Sequence, residues 1–342
     1  MKRNMRGVVM LILAVMTMPK GVKAGQLWHV KMGAESSDMS RQAMAFLPTE
    51  MWIYAGDSVE WTSGTHANHT VTFLKPGTPP RPSNAQGCGA PVVPPAMNPP
   101  TPSGSVYDGT SSACVHSGNF ADGASYTVTF SNPGNFKLSC LIHRDMTGVL
   151  HVLDLSGSLP HDQGFYDEQA ADQARDLVLD DDRRRGEDER AEHSRHFSGN
   201  QVTTTGELVA TGGGKQYLAV MRFLPETIRV RVGETVEWTN IDPAEPHTIT
   251  FGAEPAVPTA LVGLNTPSSD SDGARHGTLP NATPDHASLN SGIIAASLQD
   301  QAAQTALGVT RVRVTFTQAG RYNYICALHD ELGMKGSVVV IP

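Results

Sequence analysis

The chain contains one unit twice, and that repeat limits the folds open to it more than any other feature. Met44-Ala45-Phe46-Leu47-Pro48 returns 177 residues later as Met221-Arg222-Phe223-Leu224-Pro225. Ala55-Gly56-Asp57-Ser58-Val59-Glu60-Trp61-Thr62 returns at the same interval as Val232-Gly233-Glu234-Thr235-Val236-Glu237-Trp238-Thr239. Further on, Val128-Thr129-Phe130 and Gly134 match Val314-Thr315-Phe316 and Gly320 after 186 residues, because the segments inserted inside the two copies differ in length. Two long copies describe a duplicated domain rather than a solenoid.

Each copy has strand character. Ile228, Val230, Val232, Val236 and Trp238 fall largely on alternate positions and are interrupted by Gly233-Glu234 as a turn. Val312, Val314 and Phe316 alternate likewise, Gly320 turns the chain, and Tyr322 and Tyr324 lead to Cys326. Short strands separated by turn residues predict an antiparallel sandwich with Trp61 and Trp238 in the two cores. Gly and Pro total 56 of 342 residues, which suits loop-rich β domains and not a helical bundle.

The repeat also carries chemistry. Cys140-Leu-Ile-His143-Arg-Asp-Met146 and Cys326-Ala-Leu-His329-Asp-Glu-Leu-Gly-Met334 each end a strand. Each has a further histidine upstream, in His69-Thr-Val-Thr-Phe73 and His247-Thr-Ile-Thr-Phe251. A thiolate, two imidazoles and a thioether form the donor set of a blue-copper electron-transfer site, since soft sulfur suits Cu(I) and imidazole suits either oxidation state. The metal ligands expected are His69, Cys140, His143 and Met146 in one half and His247, Cys326, His329 and Met334 in the other. Two coppers per chain follow. Backbone N–H groups at Thr70 and Thr248 are placed to hydrogen-bond the thiolates and tune the metal.

With these motifs in place, both copies resemble cupredoxins of the plastocyanin, amicyanin and pseudoazurin kind, over roughly residues 26–153 and 200–342. The Cys140–Met146 spacing is similar to the short amicyanin loop, and Cys326–Met334 to the plastocyanin and pseudoazurin loop. The resemblance implies an all-β protein of two Greek-key sandwiches, type 1 copper and one-electron transfer to redox protein partners such as a cytochrome or a copper or haem oxidoreductase. It also implies that His143 and His329 reach the surface as electron ports. Where many relatives have Pro-Gly between His and Met, this chain has Arg144-Asp145, and Asp330-Glu331 puts acid beside the second port.

Two other functions compete. A copper-sequestering protein would favour Met- or His-rich repeats, and Met32, Met39 and Met44 are sparse. A copper oxidase or nitrite reductase needs further histidines for type 2 or trinuclear copper. The chain has no His-x-His pair, and neither Cys140 nor Cys326 is flanked by histidine. His66 is read as a loop residue. The expectation is an electron carrier and not an enzyme.

Lys2, Arg3 and Arg6, the apolar run Val8 to Met18 and Val22-Lys-Ala24 read as a signal peptide over 1–24 cut after Ala24. Export to the periplasm or beyond follows, with no membrane span elsewhere. Removing 1–24 takes away five basic residues and no acid, moving the net charge from −8 to −13. Such a surface disfavours nucleic acid. Cys88 and Cys114, left over in a Pro-rich region, are expected to form a disulfide in that oxidising setting; a metal role with His116 is the other reading.

The domains expected are 25–155, with a Pro-rich insertion of about 75–123, and 200–342, with an insertion of about 252–308 and a helix near 293–307. Between them, 156–199 is a charged helical connector. Tyr166, Ala170, Ala174, Leu177 and Val178 recur at helical spacing, so its first half has an apolar face that can pack on a domain.

Overall fold

The computed structural model describes residues 25–74, 100–110, 114–119, 123–143, 145–179, 196–197, 206–211, 214–215, 218–242, 245–258, 260–265, 274–279, 288–295, 309 and 311–342. The predicted signal peptide, residues 180–195 of the connector and most of both insertions lie outside them. Of the predicted helix near 293–307, the described Ile294 instead forms a β-bridge with His247.

Strands dominate, as expected, and build four sheets in two sandwiches. In the first half, one sheet orders Ser105–Tyr107, Ser125–Phe130, Ser58–Ser63, Leu27–Glu35 and Arg41–Leu47; facing it lie Glu50–Tyr54, Thr147–Leu153, Gly134–Ser139, Thr72–Phe73 and Val115–His116. The second half repeats the plan. Gly206–Thr211, Thr235–Asn240, Arg311–Phe316 and Ala274–Leu279 lie in one sheet, and Thr227–Arg231, Lys335–Ile341, Gly320–Ile325, Thr250–Phe251 and Leu289–Ser291 in the other.

Alternation fixes the cores. Ser58–Ser63 and Ser125–Phe130 bury every second residue, and Val59, Trp61, Val128 and Phe130 enter the space between the sheets. Trp61 lies 5.6 Å from Phe73 between ring centroids, and Trp238 lies 5.7 Å from Phe251 and 5.2 Å from Tyr324. Both tryptophans are core residues, as the alternation predicts. The repeated Leu-Pro bonds, Leu47-Pro48 and Leu224-Pro225, are both cis.

The two halves interlock more closely than a duplicated sequence suggests. Residues 214–220, placed by sequence in the second domain, add the strands Gly214–Lys215 and Leu218–Val220 to the first domain's sheet, where Leu218 pairs with Ala43 and Val220 with Arg41. Met44 and Ala67 of the first half belong to the apolar core of the second.

The connector helix runs Gln163–Leu179 and packs on the first half, against the strands Leu27–Glu35 and Arg41–Leu47. Ala170, Ala174 and Leu177 cover Ala45 and Leu47. Tyr166 is fully buried beside Trp28, and its hydroxyl accepts the Trp52 N–H at 2.9 Å. Removing that acceptor orphans a backbone donor, so Tyr166→Phe is expected to cost about 1–3 kcal/mol, measured by denaturant unfolding. A change near zero would mean that water takes over the Trp52 N–H.

Candidate metal centres

Each site is delivered by two adjacent strands of one sheet. In the second half, Thr250 pairs with Ile325, which sets His247 on the approach to one strand beside Cys326 at the end of the other. In the first, Thr72 pairs with Ser139, so His69 and Cys140 are related in the same way.

The loop that follows each cysteine then folds back on it. Cys140 N–H donates to the Met146 carbonyl at 2.9 Å, and Met146 N–H to that of His143 at 3.2 Å. In the longer second loop Cys326 N–H donates to the Met334 carbonyl at 3.1 Å, with a short 3-10 turn, Asp330–Leu332, taking up the extra residues. Gly333 ends that turn at φ 83°, a left-handed conformation that favours glycine. Both methionines are fully buried.

The donor atoms converge. His69 Nδ1 lies 3.0 Å from His143 Nδ1, and Cys140 Sγ lies 3.7 Å from His143 Nδ1. In the second site the matching distances are 3.1 Å between His247 and His329, and 3.8 and 3.5 Å from Cys326 Sγ to His247 and His329. Around a first-row ion bound at roughly 2.0 Å to nitrogen and 2.3 Å to sulfur, trigonal donors sit roughly 3.5–3.7 Å apart. Two imidazole nitrogens and a sulfur facing one buried point are therefore suited to a metal cation. The described residues contain these two His-Cys-His groups and no other metal-binding cluster of that kind.

Each thiolate is held by backbone, as expected. Thr70 N–H lies 3.4 Å and His143 N–H 3.5 Å from Cys140 Sγ; Thr248 N–H lies 3.3 Å from Cys326 Sγ. The same threonines brace the cysteine loops: Thr70 Oγ1 accepts from Leu141 N–H at 2.8 Å, and Thr248 Oγ1 from Ala327 N–H at 2.7 Å. Behind them the sites differ. Thr72 meets the ring of buried His116, whereas Thr250 donates to Asn290. His116 is thus engaged with the supporting strand, and His66 stands away from the site, paired with Glu35 at 3.0 Å.

Electrostatics follow from this packing. Burial opposes ionisation of both cysteines, yet the imidazoles around each outweigh it and hold the thiols well below their usual range. Burial likewise disfavours a charged His143, but the Glu245 and Cys140 charges raise it to about 10. His247 rises to about 10 against burial through Asp242 and Cys326, while burial lowers His69.

The surface ports implied by the resemblance are not both present. His143 is 1% exposed, and buried Glu245 of the second half sits against it with Oε1 at 2.7 Å from its Nε2. The side chain of His329 keeps 11% exposure, with Nε2 3.8 Å from Glu245 Oε2. Asp242 also enters the assembly. It lies 3.4 Å from His247 Nε2, accepts Glu245 N–H at 3.0 Å and accepts Val220 N–H at 3.2 Å from the strand that joins the first half. Sequence reading missed Glu245 and Asp242. Their signal was an acid two and five residues before the upstream histidine in the second copy only, where the first copy has Ala67 and Gly64.

The family model for copper binding proteins of the plastocyanin/azurin family matches residues 33–153 and 209–341. Among solved structures, a Cu(I) form of an amicyanin variant is similar at 21% identity and TM-score 0.24, covering 43% of this chain and 91% of that one. An oxidized plastocyanin from Dryopteris crassirhizoma is similar at 20% identity and TM-score 0.23, covering 39% of this chain and 99% of that one.

Proposed function

The chain belongs to the plastocyanin/azurin family of copper-binding proteins, and from that premise we propose that it carries single electrons on two type 1 coppers. The ligands proposed are His69, Cys140, His143 and Met146 for the first and His247, Cys326, His329 and Met334 for the second. One observation carries the reading: in each half two ring nitrogens and a sulfur lie within 4.8 Å of one another, all of them buried but the partly exposed His329.

Copper bound there supplies a one-electron couple. The protein's part is to keep the donors in one arrangement for both oxidation states, so little reorganises on transfer. The sandwich fixes the upstream histidine, the Cys-to-Met backbone bonds close the loop, and Thr70 and Thr248 stabilise the sulfur charge. Burial keeps water out. No substrate-binding chemistry is assigned, and the partners are other redox proteins.

Export to the periplasm or beyond belongs to this proposal. No described helix is long and apolar enough to cross a membrane. A Cys88–Cys114 disulfide fits an oxidising compartment. Cys88 lies outside the described residues; the free thiols among the described residues are Cys140 and Cys326, and Cys114 is not one of them. The domain limits proposed are 25–155 and 200–342, with 156–199 as the connector.

Copper titration tests the reading. The chain is expected to take up two equivalents with intense thiolate-to-Cu(II) absorption, and Cys140→Ser and Cys326→Ser are each expected to remove one equivalent and its share of the colour. Uptake without colour would leave a sequestering protein, and turnover of oxygen or nitrite would make it an enzyme.

A further inference from the structure

We propose that Glu245 bridges the two metal centres, so that an electron entering at His329 passes inside the chain to His143, whose own route to solvent is closed. This rests on the two-copper reading above. The geometry is asymmetric in the required sense. One carboxylate reaches both port histidines, at 2.7 Å from His143 Nε2 and 3.8 Å from His329 Nε2. It supplies the first site from the second domain, across the interface. His143 is buried at 1% exposure, whereas the side chain of His329 retains 11%.

Glu245 is held for this task. Asn240 Nδ2 donates to the Glu245 carbonyl at 3.1 Å and to that of Ile294 at 2.9 Å; Asn240 Oδ1 accepts Asp242 N–H at 2.8 Å; Asp242 Oδ1 accepts Glu245 N–H at 3.0 Å. A carboxylate buried this deeply is costly unless paired, and imidazoles from both halves pair it. Ala67, at the matching place in the first copy, cannot do the same, and it is packed into the second half's core. The repeat thus carries one bridging acid, not two.

The step moves one electron. The site of Cys326 is oxidised as the site of Cys140 is reduced, no bond is made or broken, and the Nε2 proton stays between His143 and Glu245. Glu245 acts by positioning the two imidazoles, joined to His143 by a hydrogen bond at 2.7 Å and to His329 by a longer charge contact at 3.8 Å.

Stopped-flow reduction of the copper-loaded full chain by ascorbate tests the bridge. Cys140→Ser leaves only the second site, which is expected to bleach fast; Cys326→Ser leaves only the first, which is expected to bleach at least tenfold more slowly. In the unaltered chain both equivalents should bleach at the fast rate. With Glu245→Gln, close to the same shape, half of the colour should lag at least tenfold while the spectrum keeps its ligand bands. In the metal-free chain, the His143 Nε2–H seen by NMR should be protected from exchange and lose that protection in Glu245→Ala. A single fast phase in Glu245→Gln, or fast bleaching in Cys326→Ser, would overturn the bridge alone. Absence of thiolate-to-copper bands in the unaltered chain would instead overturn the two-copper reading beneath it.

Discussion

Trp238→Ala is expected to destabilise the whole molecule by about 3–5 kcal/mol, the usual cost of emptying a large aromatic site in a core. Trp238 is fully buried against Phe251 and Tyr324, and Tyr324 in turn meets Phe223 at 4.7 Å. Phe251 and Tyr324 lie on the two strands that deliver His247 and Cys326, so the vacancy opens beneath the second site. Total domain stabilities are commonly about 5–15 kcal/mol, so such a loss is a large share. It should not stay in one half. The strand Leu218–Val220 pairs with Arg41–Leu47, and Met44 packs in the second half's core. The variant offers its own probe, because its remaining tryptophans, Trp28, Trp52 and Trp61, all belong to the first half. Denaturant curves followed by fluorescence and by far-ultraviolet circular dichroism should shift together. A fluorescence midpoint left unmoved would mean that the halves unfold independently.

Copper uptake near neutral pH is expected to release about one proton per site, two per chain. In the metal-free protein the packing of each site favours a thiolate beside an imidazolium. Burial opposes both charges, but Glu245 and Cys140 raise His143 to about 10, and Asp242 and Cys326 raise His247 to about 10. The cysteines are lowered, against burial, by those same imidazoles. Coordination takes the Nδ1 proton of one histidine and finds the sulfur already ionised. Pipetting copper into weakly buffered protein with a pH indicator counts the protons. Two per copper would mean that the thiols start protonated.

The same charges set the pH profile of the metal-free fold. His143 and His247 are raised above their usual 6.5, so their contribution is complete below about 6.5 and is lost as pH rises through about 10. Cys140 and Cys326 are depressed below their usual 9.0, so their contribution is complete above about 9 and is lost as pH falls. Between about 6.5 and 9 the two slopes cancel, because folded and unfolded chains bind equal numbers of protons at these groups. Stability should therefore be level across that interval and fall as pH climbs from about 9 through 10. Unfolding midpoints measured from pH 6 to 10.5 would show it, and a steady rise through pH 10 would contradict it.

What could be read from sequence follows from locality. Cys140 to Met146 and Cys326 to Met334 are single loops, so their spacing already declares the donors, and the alternation around Trp61 and Trp238 declares the cores. Tyr166, Ala170 and Leu177 share a helical face, and that face did find a sheet to cover. The surface port expected at His143 failed for a physical reason. Whether His143 meets solvent depends on which surface the other half lays over it, and no periodicity within either copy encodes that. The pairing of Val220 with Arg41 is equally silent, since an edge strand looks the same from sequence whichever domain completes it. Glu245 and Asp242 became informative only when the two copies were seen face to face.

The strand Leu218–Val220 has a consequence for how the molecule comes into being. Arg41–Leu47 is made early in synthesis, yet its outer row of amide and carbonyl groups waits for a partner encoded 175 to 179 residues later. Until then the nascent first half carries a bare sheet margin, the kind of surface on which chains join one another side by side. A strand from the middle of the chain thus guards an edge laid down near its start, and a fragment ending before residue 214 keeps that margin exposed.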